Sequence, residues 1–228
     1  MPSDADLPRL LTWLSPSFPV GAYTYSHGLE RAVELEHIRD RATAGDWVLD
    51  LLTDGGGKSD AVLLAEAWRA VTAGDSHRLH DVAEEAVALT ATSELALETE
   101  AQGRAFLTAI AAAWPTPAID GLRAGAAIAP VAYPVAVGAA AAGHGLALRP
   151  VIVGYLHAFA ANLISAIVRL VPLGQTDGLH LLRLVEPRLE ALADVAMATS
   201  LDEIATCCLA ADIASMQHET QRTRLFRS

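Results

Sequence analysis

Val151–Val171 reads VIVGYLHAFAANLISAIVRLV, a 21-residue stretch with one charge. A run of about 20 apolar residues either crosses a bilayer or forms the central helix of a folded core. Its polar residues decide between the two. Asn162, Ser165 and Arg169 recur at spacings of three and four, so they share one helical stripe. A midspan Asn and an Arg on that stripe are costly in lipid. The upstream alanine-rich run, Ala124–Gly143, is interrupted by Pro130 and Pro134 and makes a poor hairpin partner. The stretch therefore predicts a helix buried on nearly all sides, with no membrane involved.

Composition supports a large core. The chain has 228 residues, 52% apolar but only 5% aromatic, with alanine supplying about a fifth. Such a chain is not disordered. The net charge of −11 argues against nucleic acid and against a basic membrane surface. The two cysteines, Cys207 and Cys208, are adjacent and do not face one another on a helix, which points to a reducing compartment. Residues 1–6 are polar and acidic rather than a positively charged leader, so the expected location is cytoplasmic.

The pattern along the chain is helical nearly throughout. Asp6 with Pro8 opens a short helix through Leu14, and Ser15-Pro16 stops it. Pro19 and Gly21 shape an ordered loop over 18–25, and Ser26 is placed to cap the next helix. Further helices are expected over 43–52, from Asp60 as a cap, over 77–89, from Ser93 or Thr92 to Trp114, over 131–142 and 151–171, along the Leu182–Ala196 repeat with a kink at Pro187, and over 202–216. Strand alternation is scarce. The expected fold is all-α: one domain over residues 1–228, a bundle of roughly eight to ten helices with a flexible C-terminal tail.

Candidate chemistry is thin. Gly57-Lys58-Ser59 ends like a phosphate-binding loop, but the pattern needs a glycine where Leu52 stands, and a strand where the segment reads as helix. His77, His80 and Glu84 could share a helical face with a metal, yet no thiolate or further ligand lies nearby. No G-x-S-x-G, H-E-x-x-H or paired-cysteine zinc pattern occurs. No catalytic residue, cofactor or metal ligand is therefore assigned, and a small metal- or nucleotide-binding helical protein is the alternative class.

The tail differs from the body. Residues 216–228 read MQHETQRTRLFRS and carry +2, against −13 on the remainder. Leu225 and Phe226 stand beside Arg222, Arg224 and Arg227. Either the end is frayed and solvated, or it docks on a partner, for which Arg and Phe are favoured.

Four blocks carry a resemblance: SPSFPVGAYTYSHGLE (15–30), TSELALETEAQGRAFL (92–107), RLVPLGQTDG (169–178) and DIASMQHETQRTRLFRS (212–228). Together they resemble the urease accessory protein UreF family, in order and over nearly the whole chain. One departure is Leu179, where the family usually has glutamine. The resemblance implies an all-α homodimer without catalytic activity of its own. It implies binding to the accessory protein UreD (UreH in some systems) and to the GTPase UreG. That assembly docks on urease apoprotein and helps load two nickel ions onto its carbamylated lysine, with the GTPase step gated or coupled. It places the 215–228 tail, through Arg222, Arg224, Leu225, Phe226 and Arg227, against the UreD-type partner. Tyr23 and Tyr25 lie in the loop near that segment, where an aromatic body with a hydroxyl tip suits an interface. Arg169, either a cap for its own helix or a contact, is expected with Gln175 to face the GTPase. The dimer is expected to use part of 131–142 or 151–171.

Overall fold

The computed structural model describes residues 6–126 and 129–228. Residues 1–5, read above for a leader, and 127–128 of the alanine-rich run lie outside them. Among the described residues the chain is helix, turn and loop with no strand. In order come α1 (Asp6–Trp13), α2 (Leu29–Glu34), α3 (Arg41–Thr53), α4 (Gly56–Ala73), α5 (Ser76–Ala88), α6 (Ser93–Ala113), α7 (Pro117–Ala126), α8 (Tyr133–Gly143), α9 (Leu148–Leu170), α10 (Gln175–Ala198) and α11 (Leu209–His218).

Side-chain caps set several starts. Asp40 and Thr43 form a capping box on α3, Asp75 accepts from the Arg78 amide at 2.9 Å, and Thr92 accepts from the Leu95 amide at 3.2 Å. Asp60 is not the expected cap. The glycine run lets α4 begin earlier, at Gly56, and Asp60 lies inside that helix, where its carboxylate accepts the Tyr155 hydroxyl of α9 at 2.7 Å. Ser26 does not serve as the N-cap of α2 either. Gly28 occupies that place in the left-handed region, and the Ser26 hydroxyl bonds the Ser228 carbonyl.

α4 and α8 cross closely at the centre. A Cβ on Gly138 would overlap the Leu64 carbonyl oxygen, well inside the van der Waals contact distance of the two atoms. Ala61 and Ala65 of α4 and Ala136, Ala139, Ala140 and Ala141 of α8 are buried around this crossing. Small side chains allow the approach. The larger ones supply most of the burial energy, at about 1.5–3 kcal/mol for each of Leu64, Ile110, Ile152 and Leu156. Glu66 is buried in α4 beside this core, and Arg69 and Arg78 neutralise it.

α9 packs against α10, α4, α3 and α2. It is long and apolar enough to cross a membrane, with half of its most apolar window buried in the fold. The expected burial on nearly all sides is corrected: His157 and Ser165 are exposed and Ala161 half-buried, an open stripe at helical spacing. The helix expected over 202–216 is also shorter. A 3-10 turn at Leu201–Glu203 leads into loop, Cys207 and Cys208 lie in that loop, and α11 starts at Leu209.

The tail is not a loose end. Phe226 is 6% exposed and Ser228 is fully buried, because the segment after α11 folds back over α2 and α6.

Candidate functional site

The tail and the 18–28 loop form one unit. Gly21 in the left-handed region starts a 3-10 turn at Ala22–Thr24, and the chain then runs extended through Tyr25. Positive φ values at His27 (54°) and Gly28 (74°) turn it into α2. Only glycine fits at position 28, where a Cβ would lie 2.7 Å from the Ser215 nitrogen of α11. The tail lies along this loop. The Arg227 amide donates to Thr24 O and the Ser26 amide to Ser228 O, both at 2.9 Å.

Buried carboxylates hold the strap from below. Glu30 of α2 accepts from the Leu225 amide at 2.8 and 3.0 Å and from the Phe226 amide at 2.9 Å. Glu98 of α6 accepts from the Ser228 hydroxyl at 2.7 Å. Glu94 contacts Arg224 at 2.5 Å and His218 Nδ1 at 2.6 Å, while His218 Nε2 faces Glu30 at 3.5 Å. Arg224 also donates to Gln221 O and Glu219 O. Glu219 in turn accepts from the Ser93 amide and hydroxyl at the start of α6.

Arg169 closes the unit from the side. Its guanidinium donates to Ser165 O and to Tyr23 O, each at 3.0 Å, and lies 4.5 Å above the Phe226 ring. It thus serves its own helix end and clamps the strap. Gln175 is exposed at the start of α10, while the Arg169 guanidinium is engaged by Tyr23 O and the Phe226 ring.

The candidate residues divide by exposure. Tyr25 and Phe226 are core, at 3% and 6% exposed. Tyr23 is 65% and Leu225 77% exposed, and Arg222, Arg224 and Arg227 are also at the surface. The outer face therefore combines two large apolar side chains with cations on an acidic body.

Beside the 18–28 loop lies a largely apolar cleft with a few polar groups on its wall. A cleft of about 900 Å³ has Leu7 and Leu11 of α1 and Gly154 and His157 of α9 near its rim, and His27, Asp60, Glu98 and Tyr155 along its wall. Burial pushes Glu98 up to about 8, against its bonds to Ser228 and Gln102. Burial also raises Asp60 to about 6 and lowers His27 to about 4. His27 Nδ1 lies 3.2 Å from Glu98 Oε1 but out of line for a hydrogen bond.

The other candidate sequences have structural explanations. Gly55 and Gly57 form a tight α3–α4 corner, where a Cβ at 57 would lie 2.9 Å from Leu52 Cα. His80 pairs with Glu84 at 3.2 Å on an exposed face of α5. Among the described residues no three His, Cys, Asp or Glu side chains group so as to hold a metal ion.

Sequence reading missed Glu30, Glu94, Glu98 and His218. One signal was available: Glu94 and Glu98 stand one turn apart on α6, a pair of carboxylates that needs donors if its face is buried.

Comparison with known proteins gives a consistent result. The UreF family model matches residues 38–186. A urease accessory protein UreF of Xanthobacter autotrophicus is 50% identical over 230 residues, covering 99% of this chain and 94% of that protein. Those of Rhodopseudomonas palustris (strain HaA2) and Bradyrhizobium diazoefficiens are 50% and 48% identical, covering 98% of this chain and 94% and 92% of theirs.

Proposed function

Because the chain belongs to the UreF family of urease accessory proteins, we propose that it is a non-catalytic adaptor in nickel-dependent urease maturation. In this reading it bridges the UreD (UreH) accessory protein and the GTPase UreG on urease apoprotein. It couples GTP hydrolysis to nickel insertion, in the cytoplasm and as a homodimer. Nickel is cargo for urease here, not a resident cofactor.

One observation carries the reading: Tyr23 on the loop and Leu225 on the tail that lies along it are both exposed, as are Arg222, Arg224 and Arg227 of that tail. Exposed large apolar side chains flanked by arginines on an otherwise acidic surface are costly to leave wet and favourable to cover. The UreD-type partner covers this face. Arg169 and Gln175 are assigned in this reading to the GTPase.

Tyr23→Ala with Leu225→Ala tests this directly. Both side chains are exposed, so the melting temperature should hardly change. Capture of the UreD-type partner should weaken about tenfold or more, as for interface anchors. Capture at wild-type strength by the folded double variant would retire the docking assignment.

A further inference from the structure

We propose that Glu30 is the positioning residue of the docking strap, its buried carboxylate fixing the register that decides which tail side chains face outward. The inference rests on the docking reading above and names how that surface is set.

Glu30 is 8% exposed, and no arginine or lysine pairs with it among the described residues. Its partners are the Leu225 and Phe226 amides and, more distantly, His218. The strap has no helix or ladder of its own at those positions, so its amides need an acceptor. Consecutive amides converging on one anion form a nest, and here the anion belongs to the body while the nest belongs to the tail. Glu30 is itself rigidly placed, because α2 begins at the left-handed Gly28, packed on the backbone of α11.

Register follows from this anchor. Exposure alternates along the strap: Leu225 out, Phe226 in, Arg227 out, Ser228 in. A slip of one residue along this path would exchange the outward and inward positions. Phe226 would leave its place under Arg169, and Leu225 and Arg227 would turn inward. The anchor at 225–226 excludes that slip. Glu98 is a weaker candidate for the role, since it holds only the hydroxyl of Ser228, whose carbonyl is also held by Ser26.

The test uses the full-length chain. Glu30→Gln keeps the side-chain volume but removes the charge. Hydrogen exchange at the 225 and 226 amides should accelerate in the free protein, and partner capture should weaken about tenfold or more. Unchanged protection, or unchanged capture once protection is lost, would overturn the proposal. Leu225→Pro gives a second route that leaves the buried carboxylate intact and removes one donor. It should weaken capture about tenfold beyond Leu225→Ala, which keeps the amide; equal effects would count against the anchor. The exchange measurement needs no partner. Accelerated exchange in a chain whose wild type fails to capture the partner therefore retires the docking function and supports the anchor.

Discussion

Glu98 shows how one buried side chain ties stability to pH. Burial raises its carboxyl to about 8 from an ordinary value of 4.5. Between those values the folded chain keeps a proton that the unfolded chain has released, so stability falls as pH rises. Asp60 acts in the same direction, but only between 3.8 and about 6. His27, lowered to about 4 from 6.5, acts oppositely: its neutral buried form loses stability as pH falls through that range. Between 6.5 and 8, Glu98 is the one of the three that still titrates differentially. Urea denaturation should therefore show stability declining over this window, at up to about 1.4 kcal/mol per pH unit. Glu98→Gln should flatten the decline. An equally steep decline in the variant would mean that Glu98 is not its source.

At the scale of elements, the α4–α8 crossing is an unforgiving contact. Gly138 faces the Leu64 carbonyl, a backbone atom with no freedom to swing aside. Gly138→Ala should force the helices apart and cost about 3 kcal/mol or more in thermal or urea unfolding. Gly121 of α7 is the counterpart, since a Cβ there meets nothing within 4 Å. Gly121→Ala should stabilise by about 0.5–1 kcal/mol. Similar costs at both sites would refute the close-crossing account. The same elements show what the sequence made legible. Apolar spacing located α3–α6, α8 and α9 within a few residues, because a buried helical face writes its period locally; for α10 it marked the stretch from Leu182 and left out the first two turns from Gln175. α7 has no counterpart among the helices expected from sequence, in which the chain after Trp114 is left unassigned; Pro117 in fact occupies its first turn, where no amide donor is needed. The ordered strap was not legible. The carboxylate that holds the Leu225 amide lies 195 residues away in sequence, and no local pattern encodes that partnership.

At the scale of the molecule, α1 and α9 leave an apolar face without a partner among the described residues. Leu7 and Leu11 are 55% and 65% exposed at the rim of the cleft, opposite the open stripe of α9 around Gly154 and His157. The helix that most resembles a membrane span thus shows its uncovered side just where α1 presents leucines. A second copy of the chain can cover both at once, since a two-fold pairing buries the same patch twice. Charge opposes this association: each copy carries −11, and like-charged bodies repel across a Debye length of about 10 Å at 0.1 M salt. Apolar burial must outweigh that repulsion, so added salt should tighten the dimer. Light scattering at tens of micromolar should return twice the 24.0 kDa chain mass. Leu11→Asp adds a desolvation cost and one more negative charge per copy at the face, without touching the core. It should yield monomer at the same concentration with little change in melting temperature beyond that from lost association. A wild-type mass near 24.0 kDa at high salt, or a Leu11→Asp dimer as tight as wild type, would remove α1 and α9 as the contact.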